Sequence, residues 1–326
     1  MGKNKTAIII LNYNNSSDTI NCIESVERYN TAPVKYIVVD NGSTKTQVID
    51  DIDRFLHDMF NDGYARLSDT QTPAGRLLKA SFVVSKTNDG YARGNNKGLR
   101  FVYADDEIDK ILILNSDILF VEDIIPKLTY YYEKIADVAI LSPILYKKNL
   151  EGIDYNCARR HLGARQILYN YAFMYVDPFR LRRKWSSKQR LLIGNPQLTK
   201  KEYFEIELPS GSCMFIDKAL FESIGGFDPN TFLYYEEDIL YKKIYELHRK
   251  NYLLTSTRCI HLGASTTSKE VGYFMIKSSV DSAVYYITTY LNRSFAMKLL
   301  LQFFKFGFLQ TVKLQKYLKK YVGRNS

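Results

Sequence analysis

Residues Ile111 to Phe120 read ILILNSDILF, an apolar run that halts at Asn115-Ser116-Asp117 and then resumes. A run this short, rich in Ile and Leu and preceded by the polar stretch Ala104 to Glu107, predicts a strand buried on both faces. Its end carries a carboxylate. Ligands of open α/β sheets collect outside the carboxyl ends of strands, so Asp117 is placed to hold a metal ion, although a polar turn capping the next helix would read the same way.

Two earlier segments repeat the device. Thr6 to Leu11 (TAIIIL) is a buried-strand pattern running into Asn12-Tyr13-Asn14-Asn15, with a helical face behind it over Asp18 to Arg28. Val34 to Asp40 (VKYIVVD) ends in Asp40-Asn41-Gly42-Ser43, where the acid either serves a nucleoside or belongs to a plain turn. Two such units predict an α/β fold around a parallel sheet with right-handed crossovers. Asp50 to Lys79 is expected to form a helix and a surface excursion, and Ser81 to Ser85 a further short strand. That strand leads to a glycine-rich loop, Asn88 to Gly98 (NDGYARGNNKG), whose small residues would let backbone approach a ligand while Arg93 and Lys97 meet phosphate. Neither GxxxxGK nor GxGxxG occurs.

Beyond Asp117 the pattern predicts a helix over Glu122 to Ile135 and a strand over Val138 to Leu141. The variable stretch Pro143 to Leu208 interleaves Arg159, Arg160, Arg165 and Arg180 with Tyr and Phe, which suits an anionic or sugar-bearing acceptor better than base stacking. Leu208 to Ile216 reads as a strand in which Gly211 leaves room for something lying against it. Phe232 to Lys243 (FLYYEEDILYKK) brings Glu236, Glu237 and Asp238 to a helix start, either as charges favoured by the dipole or as a general base. His261 follows an apolar pair and precedes Gly263 and Ser265; a lone His is more often structural than a ligand.

With 326 residues, 46% of them hydrophobic, the chain can build one large domain plus an appendage. The apolar run Ala7 to Leu11 is too short for a secretory segment, so a cytoplasmic protein is expected. Four widely spaced cysteines without CxxC argue against zinc and disulfides. Of the net charge of +10, most lies in residues 277–326, where nine Lys and Arg face the single acid Asp281. Basicity confined to a tail speaks against a nucleic-acid partner.

Taken in order, these segments resemble the family 2 glycosyltransferases of the GT-A fold, in particular bacterial enzymes that build capsular, O-antigen or cell-wall glycans. AIIILNYNN is similar to the first strand and turn, VVDNGS to the nucleoside-binding strand end, and NDGYARGNNKGL to the asparagine-glycine loop. Asn115-Ser116-Asp117 resembles the metal motif, and PSGSCMFIDKALFESIGGFDPNTFLYYEED the acceptor strand with the catalytic acids. The likeness covers Thr6 to Thr267, interrupted at Asp50 to Lys79 and Lys147 to Glu207.

The resemblance implies a Rossmann-like, mostly parallel central sheet with flanking helices, and donor contacts from Asn12, Tyr13, Asp40, Asn88, Gly90, Asn95 and Asn115. It further implies Mn²⁺ or Mg²⁺ held by Asp117 and His261, and a base at Glu237 or Asp238. Asn115 stands where the motif carries an acid, so one carboxylate is lost. The implied reaction is inverting transfer of a sugar from a nucleotide-diphosphate donor to a glycan or lipid-linked acceptor. A catalytically inactive glycan-binding or assembly subunit is the rival.

Residues 1–275 are expected to form the catalytic domain and 276–326 a basic amphipathic helical tail. In Phe295 to Leu309 (FAMKLLLQFFKFGFL) the polar Lys298, Gln302 and Lys305 form one stripe on a helix otherwise covered by Leu and Phe, short of the ~18 apolar residues that span a bilayer. Such a helix either lies in the inner-leaflet membrane interface or packs on the catalytic domain or a second copy of the chain.

Overall fold

The computed structural model describes residues 5–150, 152–174, 177–189, 200–263 and 272–322. In the first half β1 (Lys5–Asn12), β2 (Val34–Asn41), β3 (Tyr64–Ser68), β4 (Ala80–Ser85), β5 (Ile108–Asn115), β6 (Ile118–Phe120) and β7 (Val138–Lys147) are joined through α1 (Ser16–Tyr29), α2 (Thr46–Phe60), α3 (Gly90–Tyr103) and α4 (Ile125–Lys134). The second half adds β8 (Ala158–Arg159), α5 (Ala164–Ala172), α6 (Leu181–Gln189), β9 (Tyr203–Ile206), β10 (Leu208–Pro209) and β11 (Cys213–Asp217). After these come α7 (Lys218–Ser223), α8 (Glu236–Glu246), β12 (Lys250–His261), α9 (Tyr273–Tyr286) and α10 (Phe295–Val322).

The main sheet runs β3-β4-β2-β1-β5-β11-β7-β12-β6, with β9 also on β12. The first five strands are parallel, as are β7 and β12, while β11 enters reversed between β5 and β7. This is the mostly parallel α/β sheet the apolar runs predict. Strands β1, β2 and β5 bury both faces because helices cover the sheet above and below. Strand order reverses at β1, whose neighbours are β2 and β5, and a crevice opens at their carboxyl ends.

Four local readings change. The glycine-rich stretch is helical from Gly90 onward, and the excursion before Ser81 contains the edge strand β3. The strand at Val138 runs on to Lys147, and the one expected over Leu208 to Ile216 breaks at Ser210–Ser212 into β10 and β11. All four cysteines are buried and unpaired.

The 275/276 boundary falls inside α9, which packs with α5, α8 and α10 around Ile167, Ile239, Val280 and Leu301. One face of α10 is thus buried, with Leu301 and Val312 fully enclosed. The opposite face is not: Phe295 and Phe303 are each 75% exposed, beside exposed Leu299, Leu300, Phe306 and Leu314. No helix among the described residues is long and apolar enough to cross a membrane.

The glycines of α3 set its height above the sheet. A Cβ on Gly98 would lie 2.9 Å from a Val39 methyl and 3.1 Å from one of Ile37; on Gly94 it would lie 2.7 Å from Leu11 and 3.1 Å from Asn41. Spaced i, i+4, the two present one bare stripe to β1 and β2. Gly98→Val is therefore an overpacking change, expected to lower the unfolding free energy by about 1–3 kcal/mol in urea titration.

Candidate active site

At the crevice lies a cavity of about 530 Å³, whose border brings together Asn12, Tyr13, Asn88, Gly90, Asn115, Asp117 and His261, seven of the residues named by the resemblance. It is also bordered by Asn41, Tyr91, Ser212, Phe232, Phe274 and Met275. The loop before α3 is built by amides: Asn88 Oδ1 accepts from Asn41 Nδ2 and from the Gly90 N–H, each at 3.0 Å. Gly90 has φ +82°, and a Cβ there would sit 2.0 Å from the Phe232 carbonyl oxygen, which accepts the Tyr91 N–H at 2.9 Å. Only glycine fits this closure.

Two expected donor contacts do not face the cavity. Asp40 is 0% exposed, and its oxygens accept from Asn12 Nδ2 (2.8 Å), the Ser43 N–H (2.9 Å) and the Ser43 hydroxyl (2.5 Å). Its carboxylate holds the Ser43 turn and orients Asn12. Asn95 points inward from α3 and donates to the Tyr91 carbonyl at 2.9 Å.

Asp117 and His261 meet through strand register. β6 pairs antiparallel with β12, placing His261 opposite Ile118, one residue beyond Asp117. His261 Nε2 lies 3.3 Å from Asp117 Oδ2, and Nδ1 lies 2.8 Å from Asp154 Oδ2. Burial alone would depress the imidazole pKa, but hydrogen bonds to Asp117 and Asp154 outweigh it and lift it to about 9. Asp154 shifts the other way: burial is outweighed by hydrogen bonds from His261 and the Asn156 N–H, which hold it below the usual carboxylate range. Among the described residues no group of three or more His, Cys, Asp or Glu is clustered to hold a metal. Asp117 and His261 are a two-donor set open to the cavity. Ser265 lies outside the described residues.

The acids occupy the next compartment. A cleft of about 170 Å³ bordered by Tyr91, Asn115, Gly211, Ser212, Glu236 and Glu237 leads from the first cavity to one of about 320 Å³ bordered by Arg159, Tyr171, Glu237, Asp238 and Ser279. Tyr234 (φ +73°) and Tyr235 (φ +69°) enter α8 in the left-handed region, a strain of about 1–3 kcal/mol per residue that aims the acids into the cleft. Glu237 Oε1 accepts the Gly211 N–H at 2.9 Å and lies 3.5 Å from Arg159 Nη2. A Cβ on Gly211 would come within 2.9 Å of that oxygen, so the room left by Gly211 is filled by Glu237. Burial raises Glu236 to about 8, with Glu237 adding. It raises Asp238 to about 7, with Arg159 opposing and Glu237 adding.

Sequence reasoning missed Asn41, Asp154 and Ser212. Asn41 was legible in Asp40-Asn41-Gly42, since alternation along a strand turns neighbours to opposite sides. Asp154 had no local signal; it arrives because the chain folds back on β7, with the Asp154 N–H donating to the Leu145 carbonyl.

A family model described as glycosyl transferase family 2 matches residues 7–225. The low-salt glycan biosynthesis hexosyltransferase Agl10 of Haloferax volcanii is 26% identical over 234 residues, 71% of this chain and 58% of that protein. The chain therefore spans less than two thirds of that relative's length. Two solved structures share the fold: GalNAc-T7 with UDP, GalNAc and Mn²⁺ (TM-score 0.57, 13% identity, 87% of this chain and 50% of that one), and the mannosyltransferase PcManGT of Pyrobaculum calidifontis with GDP-Man and Mn²⁺ (TM-score 0.53, 14% identity, 88% and 63%). The fold is thus of the GT-A kind, and with most of its length matched by the family model the chain belongs to glycosyl transferase family 2.

Proposed function

We propose that the chain is an inverting glycosyltransferase that moves a hexose from a nucleotide-diphosphate sugar to a hydroxyl of a glycan or lipid-linked acceptor, in assembly of a surface polysaccharide of capsular or O-antigen kind. The observation that carries this is the continuous run from the Asp117–His261 cavity through the 170 Å³ cleft to the acids. The hexose and the glycan pathway draw on the hexosyltransferase activity named for the Haloferax relative.

In this reading the donor lies among Asn12, Tyr13, Asn41, Asn88 and Gly90, with its diphosphate toward Asp117 and His261. One carboxylate oxygen and one imidazole nitrogen 3.3 Å apart at the cavity wall fit a divalent cation completed by ligand oxygens, and both structural neighbours hold Mn²⁺. Mn²⁺ or Mg²⁺ bound there would offset the charge growing on the leaving diphosphate. Asp154 fixes the His261 ring by accepting from Nδ1, leaving Nε2 to face the cation. Asp238 takes the acceptor proton: Glu237 is committed to Gly211 and Arg159, whereas Asp238 borders the acceptor cavity with a pKa near the working pH. Attack from the side opposite the diphosphate inverts the anomeric carbon in one displacement, and an NMR product of retained configuration overturns that assignment. The exposed apolar face of α10, with Lys298 and Lys313, is assigned to the anionic cytoplasmic face of a membrane.

Nucleotide release from UDP-, dTDP- and GDP-sugars with Mn²⁺ or Mg²⁺ is expected for one donor and lost in Asp117→Ala. Absence of both turnover and calorimetric donor binding would favour the inactive glycan-binding subunit. Asp154→Asn is expected to raise the Mn²⁺ concentration for half-maximal turnover about 10–100-fold, with activity recovering at saturation.

Asp238→Asn is expected to cost about 10²–10⁴ in kcat. Because a base must be deprotonated, kcat/KM should rise with pH through a midpoint near 7. Glu237→Gln removes a charge that raises Asp238, so the midpoint moves down; Arg159→Met moves it up. An unmoved midpoint in both variants excludes Asp238 as the titrating base. Phe295→Asp with Phe306→Asp is expected to reduce flotation with anionic vesicles; undiminished flotation rejects α10 as the anchor.

A further inference from the structure

A second, apolar groove of about 480 Å³ runs between α5 and α10, bordered by Phe173, Phe303, Phe304, Gly307, Phe308 and Val312. Tyr171 belongs both to this groove and to the acid cavity. Its hydroxyl contacts the Ser279 hydroxyl at 2.6 Å on the acid side, and its ring stands edge-on to Phe308 at 5.8 Å on the apolar side. The acid cavity and the apolar groove thus adjoin at this residue, which lines both.

Gly307 carries the argument further. A glycine inside a helix costs roughly 1 kcal/mol relative to alanine. Here neither backbone nor crowding requires one: its φ is not positive, and a Cβ would meet nothing within 4 Å. Gly307 borders the groove, so a larger side chain there would meet open space beside it. Phe303 borders the groove while remaining 75% exposed, so the groove opens onto the apolar, lysine-bearing face of α10.

We infer that the groove takes the hydrocarbon of an amphiphilic, lipid-linked acceptor whose hydroxyl-bearing head lies at Asp238. The inference rests on the transferase reading of the acid cavity and specifies its acceptor class. A water-soluble glycan would leave the groove empty. A second copy of the chain would cover α10 without drawing on the groove's position against the acid cavity at Tyr171.

The test uses dodecyl phosphate below its micellar concentration as a probe, with methyl phosphate as the chainless control, read by calorimetry on the full chain. Gly307→Trp is expected to weaken dodecyl phosphate at least about tenfold, as excluding a couple of methylenes from apolar burial would, while Gly307→Ala retains it. Thr311→Trp fills the groove from the next turn and is expected to give the same loss should Gly307→Trp fail to fold. Phe306→Ser, outside the groove, separates adsorption on the exposed face from occupancy and is expected to bind as the parent does.

Dodecyl phosphate that ignores both tryptophan variants, or that fails to bind the parent chain, overturns the inference. So does a dimer in gel filtration that Gly307→Trp dissociates, because the occupant is then a second copy. Donor turnover in the parent chain keeps the two readings apart: turnover with unaffected probe binding sinks the groove alone, whereas absence of both turnover and donor binding with groove-dependent probe binding sinks the transferase reading.

Discussion

β5 is hydrogen-bonded on both sides, in parallel by β1 and in reverse by β11, and this clamp sets where the chain must leave the sheet. The ladder places Leu11 beside Asn115 and Cys213 beside Leu114, and the Asn115 N–H donates to the Ser212 carbonyl at 2.8 Å as the last rung. Asn12, Asn115 and Ser212 therefore sit at one level around the crevice. Ser116 and Asp117 turn out of the sheet, and β6 re-enters it against β12 in the register that brings His261 to Asp117. A one-residue slip in either pairing would turn these side chains to the opposite face.

The same scaffold separates its carboxylates into two electrostatic populations. Asp117 and Asp154 share a histidine, so they sit where positive charge is favoured. Glu236 and Asp238 lie two apart in the first turn of α8, each raised by burial and by Glu237 between them, with Arg159 as the counter-charge that opposes Asp238's rise. Burial and like charge there favour the neutral form. One region is suited to a cation and the other to taking up a proton, and pairs of groups pushed apart in this way are how a single pocket divides acid and base work. The left-handed Tyr234 and Tyr235 maintain the second region, since without that turn α8 would not start with its acids toward the cleft.

The tail extends the site instead of standing apart from it. Within residues 276–326, Ser279 borders the acid cavity and α10 the apolar groove, while Phe274 and Met275, just ahead of them in α9, border the first cavity. Composition marks the tail as basic and amphipathic, but only packing shows that one apolar face of α10 is used inside the protein while a second stays outside.

Period and punctuation were legible in the chain itself. Short Ile- and Val-rich runs ending in Asn or Asp determine buried strands with polar carboxyl ends, and the acids at Glu236 to Asp238 determine a charged helix start, because both follow from local side-chain chemistry. The glycines of NDGYARGNNKG could not be assigned locally: a helix needing close contact and a loop needing freedom both call for glycine, and the clash with Val39, Ile37 and Leu11 decides between them. Asp40 likewise reads equally as a nucleoside contact or a turn residue, and only the structure shows its oxygens accepting from Ser43 and Asn12. Asp154, Arg159 and Gly307 acquire their places only when distant segments pair, since hydrogen-bond saturation, burial and open volume belong to neighbours in space, which the order of residues along a chain does not specify.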